Sequence, residues 1–71
     1  MRKIGEELKY QRESNRLSQT ELAKKTGFTQ ATISLWEKDE RTPSIEACIK
    51  LADVYEISLD ELVGRDFEKN G

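Results

Sequence analysis

Residues 18–37 read SQTELAKKTGFTQATISLWE, and the fold turns on this stretch. It parses as two short helices joined by a tight turn. Ala23, Gly27 and Ile33 set the crossing. Ala23 is small enough for two helix backbones to come close. Gly27 can take the positive φ that a sharp turn needs and that a residue with a Cβ resists. Ile33 is an apolar plug from the second helix, and Trp36, three residues on, shares its face. Both helix starts are marked. Ser18-Gln-Thr-Glu21 fits a capping box, in which the Ser18 hydroxyl accepts from the Glu21 N–H and the Glu21 carboxylate reaches back. Thr29 is a good N-cap for the second helix, two residues after the glycine.

The inward stripe of the first of these helices is Leu22 and Ala23. Its outward side shows Gln19, Thr20, Lys24 and Lys25. The second turns Ile33 and Trp36 inward and Gln30, Ala31, Ser34 and Leu35 outward, with Thr32 toward the edge. That outward face is small and polar and carries almost no charge. A helix face that is merely solvated more often carries Lys and Glu. Short side chains with one amide suit close contact with base edges.

The stretch resembles the helix-turn-helix of the Cro and phage-repressor family, also called Xre-type regulators. The resemblance spans roughly residues 4–64. Three flanking features carry it: Gln19 opening the first helix of the motif, Trp36-Glu37 closing the second, and Pro43-Ser44 leading into a fourth helix. It implies an all-α, lambda-repressor-like DNA-binding domain over residues 1–64, followed by a polar tail over 65–71.

Outside the motif, Met1–Asn15 reads as a first helix with Ile4, Leu8, Gln11 and Arg12 on its inner stripe. Gly5 is a weak helix former, placed in the first turn where that costs least. Asn15-Arg16 ends the helix, with Asn15 suited to a left-handed terminus. Leu17 drops into the core. An arginine on an inner stripe needs a buried partner. The resemblance supplies one, a structural ion pair between Arg12 and Glu37. Lys38–Thr42 is a loop in which Asp39 stands where the family commonly has glycine; Asp tolerates positive φ. Asp39 and Glu40 put two negative charges near the expected path of the DNA backbone.

Pro43 cannot continue a helix, and Ser44 caps the next. Ser44–Tyr55 shows an apolar stripe of Ile45, Cys48, Ile49, Ala52 and Tyr55, with Leu51 alongside. Cys48 reads as a buried, inert thiol. Ser58-Leu-Asp-Glu61 is a second capping box, opening a short fifth helix that ends at Gly64. The expected architecture is therefore a compact five-helix bundle, with helices one, four and five as a base. Ile57, Leu59, Leu62 and Val63 are too many apolar residues for so short an element to bury alone. In the family this region makes the dimer contact, which points to Leu59, Leu62, Val63 and Phe67.

By resemblance, residues 29–35 enter the major groove with the N-terminal end foremost. Gln30 is the candidate for direct readout, since a carboxamide can bond adenine N6 and N7 together. Ala31 would touch a thymine methyl, and Ser34 and Leu35 lie deeper along the groove. Gln19 and Thr29 would hold the DNA backbone, aided by the partial positive charge at helix N-termini. Thr32, Arg16, Lys38 and Arg41 are further backbone candidates. One recognition helix reads too few bases for a genome. A homodimer would set two of them about 34–36 Å apart on a palindromic operator.

Bulk composition bounds these expectations. Seventy-one residues make one domain. A chain this short buries only about 60% of its unfolded surface, so its core is thin. One cysteine allows no internal disulfide, and there is no histidine. No spacing suggests a metal site, and no cofactor is expected. No apolar run is long enough to span a bilayer and no signal-peptide core is present, so the expected location is cytoplasmic. The chain reads as carrying no ligand-sensing domain after the motif. The net charge is −2, low for a DNA-binding domain. It divides unevenly, +2 over residues 1–43 and −4 over 44–71, so the basic excess sits with the motif. The leading expectation is a sequence-specific, double-stranded DNA-binding transcriptional repressor. The alternative is a protein-interaction module, an antitoxin or adaptor that uses the same fold to hold a protein partner; an unidentified regulatory protein is a further candidate partner of the repressor. No nucleophile, acid–base pair or phosphate loop supports an enzyme.

Overall fold

The computed structural model describes residues 4–63, apart from the side chains of Asp60 and Val63. It is all-helical: α1 Ile4–Ser14, α2 Gln19–Thr26, α3 Gln30–Glu37, α4 Ile45–Tyr55 and a short α5, Leu59–Val63. Four helices of eight or eleven residues thus carry the fold, and the fifth is a single five-residue piece. The expected helical start at Met1, the fifth-helix stop at Gly64 and the 65–71 tail lie outside the described residues. Helix α1 packs on α3 and α5, α2 on α3 and α4, and α4 on α5. The motif therefore rests on a base of α1, α4 and α5.

The helix starts follow the capping residues. Ser18 Oγ accepts from Glu21 N–H at 3.0 Å while Glu21 Oε1 accepts from Ser18 N–H at 2.8 Å, a complete capping box. Thr29 and Ser44 cap α3 and α4 through the amides of Thr32 and Ala47. Ser58 and Glu61 form the same reciprocal pair at the start of α5.

The helix ends are more unusual. Helix α2 stops on Gly27 at φ 86°, whose N–H donates to Ala23 O at 2.8 Å. Helices α1, α3 and α4 each stop on a charged residue in the left-handed region: Arg16 (φ 59°), Asp39 (φ 61°) and Glu56 (φ 58°). In each, the residue after it donates five positions back, and the left-handed residue itself donates three back. The longer bonds are Leu17 N to Arg12 O, Glu40 N to Leu35 O and Ile57 N to Ala52 O, at 3.0–3.1 Å. These paired bonds satisfy carbonyls that the helix leaves open, and they define the Schellman turn. The left-handed residue closing α1 is therefore Arg16, and the expectation for Asn15 is corrected. Asn15 stays in the last turn and donates its side-chain amide to Gln11 O at 2.8 Å.

The core is Leu8, Leu22, Ile33, Trp36, Ala47, Cys48, Leu51, Ala52, Tyr55 and Leu62, with Leu17, Ala23, Phe28 and Leu59 packed against it. Phe28 meets Trp36 edge-to-face at 5.0 Å between ring centroids. The inner face of α4 keeps Cys48, Leu51, Ala52 and Tyr55 of the expected stripe and departs from it at Ile45 and Ile49, with Ala47 added. Ala47, Cys48, Leu51, Ala52 and Tyr55 point inward, whereas Ile45 and Ile49 are 64% and 45% exposed. The apolar arc of α4 is wider than its neighbours cover. Leu62 is wholly buried within the one chain, so it is withdrawn as a dimer contact. Of the other residues placed there, Leu59 is half-buried, and the Val63 side chain and Phe67 lie outside the described residues.

Candidate nucleic-acid interface

Helix α3 sits at the surface with Ile33 and Trp36 as its root. Both are held in the core, so the opposite side of the helix must face outward. Gln30 and Ala31 are exposed; Thr32, Ser34 and Leu35 are half-buried along its flanks. The Thr29 hydroxyl caps the helix by accepting from Thr32 N–H at 3.1 Å, and it also pairs with the Thr32 hydroxyl at 2.9 Å. These two hydroxyls fix the first turn against each other.

A chain of polar contacts ties the tip of α3 to the body of the domain. Gln30 Nε2 donates to Gln19 Oε1, and Gln19 Nε2 donates to Glu37 Oε1 at 3.0 Å. Glu37 is gripped in turn by Arg12, whose Nε donates to Oε2 at 2.7 Å and whose second terminal nitrogen donates to Oε1 at 3.1 Å. The other terminal nitrogen of Arg12 closes the sequence on Leu17 O at 2.8 Å. The two charged side chains are only 11% and 5% exposed. At that burial each charge is tolerable because the other is there. The carboxylate also raises the pKa of the Arg12 guanidinium, chiefly through their hydrogen bond. Charge-assisted, forked pairing of this kind fixes geometry as well as energy. Gln19 and Gln30 are therefore presented in a set orientation.

A shallow hollow of about 190 Å³ lies alongside, lined by Lys9, Arg12, Gln19, Ser34, Glu37 and Lys38. It brings two exposed lysines, Lys9 and Lys38, to the edge of the α3 face. Lys9 was absent from the sequence expectations. It lies on α1, which reads as base, and only the crossing of α1 with α3 places it here. Arg16 and Arg41 are exposed on the turns after α1 and α3, apart from this hollow. Among the described residues, no group of three or more His, Cys, Asp or Glu is placed to hold a metal ion. No described helix is long and apolar enough to cross a membrane. Cys48 is buried, and that burial pushes the pKa of its thiol up.

A helix with one exposed face free of charge, on a braced two-helix turn, defines a class, and comparison with known proteins agrees. A helix-turn-helix family model matches residues 8–62, and the chain belongs to that Cro/phage-repressor, Xre-type family. It is 38% identical over 63 residues to the cryptic phage CTXphi transcriptional repressor RstR of Vibrio cholerae, covering 89% of this chain and 56% of that protein. It is 33% identical over 63 residues to the transcriptional regulator ImmR of Bacillus subtilis, covering 89% of this chain and 50% of that protein. The chain thus spans about half the length of these two relatives. Among solved structures, it is similar to the P22 c2 repressor in complex with synthetic operator 9T. That match has a TM-score of 0.82 and 28% identity, and covers 89% of this chain and 96% of that one.

Proposed function

We propose that this chain is a sequence-specific repressor of transcription that lays α3 into the major groove of duplex DNA. The observation that carries the reading is the exposed Gln30 and Ala31 at the start of α3, braced through Gln19 onto the Glu37–Arg12 pair. The structural likeness to a repressor bound to its operator supports it. Gln30, Ala31, Ser34 and Leu35 read the bases. Gln19 and Thr29 hold the phosphates together with Thr32, Lys38, Arg16 and Arg41, and Lys9 joins them. Two copies bind a palindrome, because one α3 spans too few base pairs to select a site. Leu59, Val63 and Phe67 form the contact between copies.

Selection of bound duplexes from a random pool tests this. It should return two inverted half-sites with centres about 10–10.5 base pairs apart. Recovery of no enriched sequence would oppose the reading. The net charge of −2 favours a second reading, an adaptor or antitoxin that holds a protein. The two differ in salt response. Each phosphate contact contributes about −0.9 to the slope of log affinity against log salt, and an adaptor shows no salt-dependent duplex binding.

A further inference from the structure

Asp39 is the member of the left-handed trio whose side chain crosses to another element. Its Oδ1 accepts from the Gly5 N–H, in the first turn of α1, at 3.0 Å. A carboxylate there also faces the positive end of the α1 dipole. The two chain segments touch so closely that Gly5 has no room for a side chain. A Cβ on it would lie 2.5 Å from Asp39 Oδ2, 2.6 Å from Glu37 O and 2.7 Å from Trp36 O. The start of α1 is thus pressed against the last carbonyls of α3, and Asp39 is the latch between them.

The loop that Asp39 anchors carries Lys38 and Arg41, and Lys38 lines the hollow beside α3. An aspartate on a phosphate-facing loop would ordinarily repel DNA. Here one carboxylate oxygen is engaged by the end of α1, while Asp39 stays exposed beside Lys38, Glu40 and Arg41.

We propose that Asp39 is a positioning residue for phosphate contact, acting by tying the loop of residues 38–41 to Gly5 of α1. The proposal rests on the DNA-binding reading above. It differs from a purely local turn, because glycine at Asp39 would satisfy the left-handed backbone while losing the latch.

The test measures affinity for the duplex recovered by selection, across a salt series, for wild type, Asp39→Gly, Asp39→Asn and Glu56→Gly. Far-UV circular dichroism checks that each is folded. Asp39→Gly should bind about tenfold more weakly at low salt, with a slope shallower by about one phosphate contact, despite losing a negative charge. Asp39→Asn keeps an oxygen for the Gly5 amide and should stay within about threefold of wild type. Glu56→Gly, the same change at a turn remote from α3, should bind as wild type does. Hydrogen exchange of the Gly5 amide should be slow in wild type and Asp39→Asn, and fast in Asp39→Gly. The inference is overturned if Asp39→Gly keeps wild-type affinity and slope, or if the wild-type Gly5 amide exchanges freely. Wild-type protein with no salt-dependent duplex binding would instead sink the DNA-binding reading, and the exchange data would still report on the latch.

Discussion

At Gly27 a Cβ would meet no atom within 4 Å, so space is not what requires glycine there; its φ of 86° is. At Gly5 the reverse holds, with two backbone carbonyls in the way. Gly27→Ala should therefore cost about 1–2 kcal/mol, the price of one left-handed residue. Gly5→Ala should cost at least as much, about 1–3 kcal/mol, because backbone must move. Chemical denaturation of the two variants checks both. The first glycine is legible in sequence, since it falls between two periodic segments. The second is not, because its reason comes from residues more than thirty positions away. Arg12 lies between these cases. An arginine on an inner stripe announces that a partner is needed, and the resemblance, not the spacing, pointed to Glu37. Arg12→Ala strands Glu37 at low exposure and should cost about 3–5 kcal/mol in the same denaturation assay. Tyr55 runs the other way. Its hydroxyl is buried with no hydrogen-bond partner among the described residues, and burial raises its pKa. Tyr55→Phe removes that group and should be neutral or stabilising by up to about 1 kcal/mol.

Elements show where sequence patterns succeed and where they stop. Helix starts were legible, because Ser18, Thr29, Ser44 and Ser58 act on amides three residues away. Helix ends were half legible. The turn after α1 could be placed, but not which of Asn15 and Arg16 is left-handed; the bonds of Arg16 N to Glu13 O and Leu17 N to Arg12 O put Arg16 there. With the charged side chain of Arg16 or Glu56 replaced by hydrogen, the left-handed backbone costs less. Arg16→Gly and Glu56→Gly should each stabilise the fold by about 0.5–1 kcal/mol, measured by thermal unfolding. Helix α4 was legible at Cys48, Leu51, Ala52 and Tyr55, but not at its two isoleucines or Ala47. Ile45 and Ile49 are stronger hydrophobes than Ala47 and Ala52, and periodicity weighs them accordingly. The sides of α4 facing α2 and the short α5 bury Ala47 and leave the two isoleucines exposed. The α2 cap also has a pH signature. The Ser18 backbone N–H, with its hydroxyl, holds the Glu21 carboxyl below its usual value. A carboxylate with a depressed folded pKa contributes stability above its unfolded pKa and loses it as pH falls through the folded value. Acid unfolding should begin at higher pH in wild type than in Glu21→Gln once the neutral-pH stabilities are matched, since the variant has no such proton to take up.

For the whole molecule, the tension is between a net charge of −2 and a polyanionic partner. The fold eases it by geometry. Two cations, Lys9 and Lys38, gather at the edge of the α3 face, and one Asp39 carboxylate oxygen is held by the Gly5 amide of α1. No reading of composition could find this, because Lys9 and Lys38 are brought together only by the α1–α3 crossing. The central claim is that the uncharged side of α3 meets the bases while the remainder of the chain holds it in place. Amide chemical-shift mapping on addition of the selected duplex tests that claim most directly. The account predicts the largest shifts at Gln30, Ala31, Ser34 and Gln19, with smaller ones at Lys38 and Lys9. Shifts centred on the exposed Ile45–Ile49 side of α4, with α3 unmoved, would contradict it.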